Sequence, residues 1–179
     1  MPMQKTLLVV SFFFVACVNA KQHDFQSMLA CHASSNEPGL AVRIEQSGEL
    51  IFSDAIGIAD IKSRDPLKVE HIFQIGSVTK QFTAVAILQL WENNKLSLQN
   101  TLGDFIPDIP SEYSMLTIES VLSHTSGLPN YNTDARVRHE WGKFKPINEV
   151  IKSVSKMPLL AEPGTAYLYS NTGYVLLGK

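Results

Sequence analysis

Apolar positions along the chain change their period several times. Over residues 39–57, "GLAVRIEQSGELIFSDAIG", two β-rich runs flank Ser47-Gly48, which predicts an antiparallel hairpin closed by a two-residue turn. Ahead of it, residues 23–31 read as a short helix. A polar connector containing "KSRDP" leads into "HIFQIG", read as a short extended segment. From Val78 to Asn94 the apolar residues Val78, Phe82, Val85, Ala86, Leu88, Leu90 and Trp91 recur on nearly every face. A helix apolar nearly all round is expected to be buried at the centre of a fold. Asn93-Asn94 end it, and "KLSLQNTLGDFIPDIP" reads as a loop with two prolines. Further on, "TIESVLSH" predicts a short helix with Thr117 as its N-cap, and "PINEVIKSVSKMP" predicts another bracketed by Pro146 and Pro158. "AEPGTAYLYSN" is irregular, and "TGYVLLGK" opens a last helix.

The N-terminus differs from the rest. Lys5 precedes the apolar run "TLLVVSFFFVACV", too short to span a bilayer comfortably, and Val18 and Ala20 supply small residues for cleavage before Lys21. Residues 1–20 therefore read as a signal peptide of an exported protein with no stable membrane span after cleavage, periplasmic or secreted. An uncleaved anchor and a lipoprotein site at Cys17 are the alternatives. After cleavage Cys31 is the one thiol left, so no internal disulfide is expected. Its position in "MLACHASSNEPG" gives it no catalytic context.

Composition narrows the functional classes. With 45% apolar and 18% charged residues the chain can form a packed core. A formal charge of −2 provides no basic field, so no nucleic-acid partner is expected. The five histidines show no metal-ligand spacing, so a metallohydrolase finds no support; no organic cofactor is expected either.

Two Ser-x-x-Lys patterns occur, Ser77/Lys80 and Ser153/Lys156. Ser153 falls inside a polar amphipathic stretch with Lys152, Ser155 and Lys156, an ordinary solvated face. Ser77 instead stands where an extended run meets a helix, so Lys80 lies one turn along on the same side. A serine hydroxyl is a poor nucleophile until a neighbour takes its proton. A neutral lysine can do so, and a helix start supplies N–H groups and a field favourable to an oxyanion. The bland alternative is a serine cap followed by a surface lysine. Tyr169-Ser170-Asn171 is the chain's only Tyr-x-Asn. A phenol beside a lysine can relay a proton, and an amide two residues on can hold the lysine and a substrate carbonyl. The bland alternative here is a buried aromatic and a loop-capping amide.

Taken in order, "GSVTK", "LSHTSGLPNY", "EPGTAYLYSN" and "GYVLLGK" resemble the serine β-lactamase-like family of class C β-lactamases, D-Ala-D-Ala carboxypeptidases and related esterases. The resemblance implies a β-lactamase/penicillin-binding-protein-like fold, α/β plus an all-α subdomain. That means an incomplete antiparallel sheet with the N-terminal hairpin, a central buried helix and a helical domain. Residues 21–179 would form a partial domain, 21–77 its α/β region and 78–179 its mostly helical region. By resemblance Ser77 is the acylated nucleophile, Lys80 its activating partner, Tyr169 the general base and acid, and Asn171 a substrate and lysine contact. His124 in "HTSGLP" is implied to be structural.

The family's third motif, Lys or His, a small residue and Gly, occurs nowhere in the chain. The chain is therefore expected to be the N-terminal part of a serine hydrolase: a truncated product, an interrupted reading frame or a fragment of a longer sequence. The expected function is acyl transfer through an acyl-serine on an amide or ester: a β-lactam, a D-Ala peptide or a small ester. The substrate partner is thus a small molecule or peptide. The alternatives are a non-catalytic binding protein, an inactive truncated homologue, and a membrane-tethered structural protein.

Overall fold

The computed structural model describes residues 22–133, 146–155 and 157–179. The reading of residues 1–20 as a signal peptide, with Cys17, and Lys156 of the second Ser-x-x-Lys pattern lie outside the described residues. The chain divides into two units, one ending at Gln74 and the other running from Ile75 to Lys179.

In the first unit the hairpin forms as its pattern predicts. Strands β1 (Leu40–Gln46) and β2 (Glu49–Ile56) pair antiparallel, with Gln46 opposite Glu49 across the turn. Ser47 and Gly48 both have positive φ, 52° and 84°. Positive φ at both central residues is the conformation whose twist matches that of the flanking strands. The helix Gln22–His32 packs on β2. The Phe25 and Phe52 rings lie 5.6 Å apart, and Leu29 and Phe52 are buried. Cys31 is exposed on that helix. "HIFQIG" forms no strand.

The second unit is helical around one apolar core. A 3-10 turn, Gly76–Val78, runs directly into the helix Thr79–Glu92. Asn94 stops that helix with φ 55° while Lys95 N–H reaches back to the Leu90 carbonyl at 2.9 Å. Short helices follow at Leu102–Phe105, Ser111–Ser114 and Ile118–Leu122. Thr117 caps the last of these by accepting from Ser120 N–H at 3.2 Å. The first of these stands where the sequence reads as a loop, and the second in a stretch for which the sequence predicts no element. The signal for Leu102–Phe105 is Thr101-x-x-Asp104: the Asp104 carboxylate accepts the Thr101 N–H at 2.8 Å, as in a capping box. The helix Ile147–Val154 buries Val150, Ile151 and Val154, and the helix Asn171–Leu177 packs against it and against Ile118–Leu122.

One expectation is corrected. The helix Thr79–Glu92 is not buried on all sides, because only Ile87 is buried. Phe82 is 67% exposed, and Val78, Val85, Ala86, Leu88, Leu90 and Trp91 are exposed as well. The Ile87 side joins the core with Leu102, Ile106, Leu176 and Leu177, and Lys80, Thr83 and Ala84 are half-buried. Periodicity reports which faces are apolar; burial depends on what packs there.

Tyr113 pins the core. Its ring is 1% exposed, and its hydroxyl donates to the Val154 carbonyl at 2.7 Å and also reaches the Met157 carbonyl. Burial, and after it the Glu112 charge, push the phenol up to about 12, so it stays a donor. Tyr113→Phe leaves both carbonyls without this donor and is expected to lower stability by about 1–3 kcal/mol. A drop in urea midpoint with unchanged slope checks it.

Candidate active site

Ser77 lies in the 3-10 turn and Lys80 in the first turn of the following helix. Continuity of the two helical segments carries the lysine back over the serine, with Lys80 Nζ 3.3 Å from Ser77 Oγ. The same Nζ donates to Asn171 Oδ1 at 2.6 Å. From the far end of the unit, the Tyr169 hydroxyl donates to Ser77 Oγ at 2.7 Å. The structure thus brings together all four side chains singled out in the sequence. Ser153 instead donates to the Val150 carbonyl of its own helix at 2.7 Å.

Asn171 is held from several directions. It opens the helix Asn171–Leu177, whose N-cap Ser170 is 2% exposed and accepts from Gly173 N–H at 3.3 Å. Asn171 N–H donates to Asn130 Oδ1 at 3.2 Å, and the fully buried Thr172 hydroxyl accepts Tyr131 N–H at 2.9 Å. Gly173 lets this helix lie close, since a Cβ there would stand 2.9 Å from Val121 Cγ1. The amide that receives Lys80 therefore sits on a packed element rather than a free loop.

The aromatic surroundings place the lysine charge over π-faces. Lys80 Nζ is 4.7 Å from the Tyr169 ring centre and 5.6 Å from that of Tyr174. Hydrogen bonding to Lys80, then to Ser77, lowers the Tyr169 phenol below its ordinary value. Lowering favours phenolate, the form able to take a proton from Ser77. Tyr169 is 42% exposed and Ser77 is exposed, so a carbonyl can approach the serine from solvent.

Two residues of this surround escaped the sequence reading as parts of the site. Tyr174 donates to the Leu122 carbonyl at 3.0 Å while its ring flanks Lys80. Asn130 supports Asn171, and nothing in its local sequence marks it. Buried His124 faces the Tyr169 ring at 4.5 Å. Among the described residues no group of three or more His, Cys, Asp or Glu could hold a metal ion, and no helix is long and apolar enough to cross a membrane.

Residues 24–179 match the family model described as Beta-lactamase. The chain is 29% identical over 161 residues to penicillin-binding protein 4* of Bacillus subtilis, covering 89% of this chain and 35% of that protein. It is 31% identical over 123 residues to the human mitochondrial serine beta-lactamase-like protein LACTB, covering 66% of this chain and 22% of that one. Among solved structures, D-amino acid amidase from Ochrobactrum anthropi SV3 superposes with a TM-score of 0.73 at 28% identity, over 86% of this chain and 42% of the amidase. The chain thus spans about a third of the first relative's length and under half of the amidase's.

Proposed function

We propose, since this chain belongs to the beta-lactamase family, that it carries the acyl-transfer site of a serine hydrolase acting on an amide or ester through an acyl-Ser77 intermediate. One observation carries the reading: Ser77 Oγ is met by Lys80 Nζ from its own helix and by the Tyr169 hydroxyl from a residue 92 positions away. Such convergence on an exposed hydroxyl is not needed for a helix cap.

In this reading Ser77 Oγ adds to the substrate carbonyl as its proton passes to the phenolate oxygen of Tyr169. The field of the Lys80 ammonium stabilises the negative charge on Tyr169 before that transfer. The Ser77 N–H, at the start of the helical run, donates to the oxyanion. Collapse breaks the bond from carbonyl carbon to the leaving nitrogen or oxygen, and the leaving group takes the proton back from Tyr169. Water then cleaves the acyl-serine, with Tyr169 again taking and returning the proton. Asn171 holds the lysine through Oδ1 and offers its amide N–H groups to the substrate.

The relatives' names point to D-amino acid amides and β-lactams, penicillin among them, as candidate substrates. Export rests on the sequence pattern of residues 1–20. The test is intact-mass spectrometry of the purified chain after exposure to a fluorophosphonate and, separately, to a penicillin. Peptide mapping is expected to place the adduct on Ser77. A folded chain, judged by circular dichroism, that gains no mass from either reagent overturns the catalytic reading and leaves a binding protein.

A further inference from the structure

The loop that delivers Tyr169 has no regular hydrogen-bonding pattern of its own, yet Tyr169 must be placed to within a fraction of an ångström to serve Ser77. His124 meets that loop at three successive residues. Its backbone carbonyl accepts Leu168 N–H at 2.8 Å. Its ring lies against the Tyr169 ring, centres 4.5 Å apart and planes tilted by 36°. Its Nδ1 accepts Ser170 N–H at 3.2 Å. The rings of Tyr174, at 5.1 Å, and Tyr167, at 5.8 Å, complete an aromatic enclosure around the imidazole. His124 itself has φ 59°, the left-handed conformation that histidine adopts more readily than most residues.

We propose that His124 is the positioning residue for Tyr169, gripping Leu168, Tyr169 and Ser170 through its carbonyl, its ring face and an unprotonated Nδ1. The inference rests on the acyl-transfer reading for its consequence, but the grip itself is a structural claim. Because Nδ1 accepts from a backbone N–H, the ring proton sits on Nε2. An imidazolium would point a proton at the Ser170 N–H and break the contact. Burial, and after it the charge of Lys80, hold the imidazole below its ordinary range and keep it neutral. The hydrogen bonds and ring contacts of His124 go to the Tyr167–Ser170 segment, Tyr174 and Val121, not to Ser77, so its effect on the serine passes through where it holds the phenol.

Three measurements on the full chain test this. Long-range nitrogen–proton correlation of the wild-type protein at neutral pH is expected to show His124 as the Nε2–H tautomer; Nδ1 carrying a proton overturns the proposal whatever the variants do. His124→Phe keeps a ring face and loses the acceptor, while His124→Asn keeps an oxygen near the place of Nδ1 and loses the ring. Both are expected to lower the limiting rate of Ser77 labelling roughly 10–10²-fold with little change in half-saturating probe concentration. Folded variants labelling at the wild-type rate overturn it. Ultraviolet titration, with Tyr169→Phe subtracted, is expected to show the Tyr169 phenol titrating higher in His124→Phe as it leaves Lys80. An unchanged titration overturns it. If wild-type protein labels with no probe, the acyl-transfer reading fails alone, because the tautomer and the phenol titration still decide the grip.

Discussion

Replacing Lys80 by Met is expected to slow acylation of Ser77 by ~10²–10⁴-fold, the range typical of losing a proton-transfer partner. Ser77→Ala is expected to abolish the adduct altogether. The lysine effect is large because Nζ is shared among Ser77, Asn171 and the rings of Tyr169 and Tyr174. Methionine keeps the length and apolar stem but removes the charge that favours the Tyr169 phenolate. The phenol should then titrate closer to its ordinary value, and the labelling rate should rise at higher pH than in the wild type. The direction follows from the sign of the shift. A phenol held low is phenolate over a wider range, so losing the cause moves the basic form to higher pH. Stopped-flow or timed intact-mass measurement across pH, with a fluorophosphonate, checks both the rate and the displacement. A variant that labels at the wild-type rate with the wild-type pH profile would remove Lys80 from the mechanism.

Much of this site was legible because its members carry local signals. Ser77 and Lys80 are separated by one helical turn, a relation set by the backbone alone. Tyr169 and Asn171 flank a Ser170 whose capping role brings Asn171 to the first position of its helix. Ser47-Gly48 and Thr117 likewise announced a turn and a cap that the structure contains. The rest depends on partners distant in sequence. That Lys80 meets Asn171, 91 positions away, is expected from the resemblance rather than from any local pattern, and nothing in the sequence says that Asn130 receives the Asn171 N–H. The helix Thr79–Glu92 shows the opposite failure: its pattern was read correctly as apolar nearly all round, but inferring burial assumed packing on every face. The helices Leu102–Phe105 and Ser111–Ser114, four residues each, are too short to display a period, so the first reads as loop and the second as no element at all. The resemblance implies only that His124 is structural, and its contacts with Leu168, Tyr169 and Ser170 are tertiary and leave no local signal.

Gly127→Ala is expected to be the most damaging small substitution in the second unit and to disturb the site without touching it. Gly127 has φ 75°, and a Cβ there would stand 2.2 Å from the Ala161 carbonyl oxygen, well inside contact distance. Its own carbonyl accepts Leu160 N–H at 2.8 Å, so the backbone cannot separate from Ala161 without losing that bond. The left-handed conformation costs alanine roughly 1–2 kcal/mol, and the broken hydrogen bond about 1–3 kcal/mol more. A total loss of roughly 2–5 kcal/mol should appear as a lower urea midpoint. Gly164 supplies the control, since its φ is 83° but a Cβ there meets nothing within 4 Å. Gly164→Ala should therefore show the conformational cost alone, about 1–2 kcal/mol. The two turns are joined by the Gly164 N–H to the Thr125 carbonyl at 2.8 Å, and the chain between Leu160 and Leu168 hangs from residues 124–127. Displacing Gly127 thus moves the segment that carries Tyr169, so Gly127→Ala should also slow Ser77 labelling while Gly164→Ala leaves it near the wild-type rate. Equal losses of stability and equal labelling in the two variants would show that the close approach at Ala161 is relieved without cost, and that the loop reaches Tyr169 by some support other than this turn.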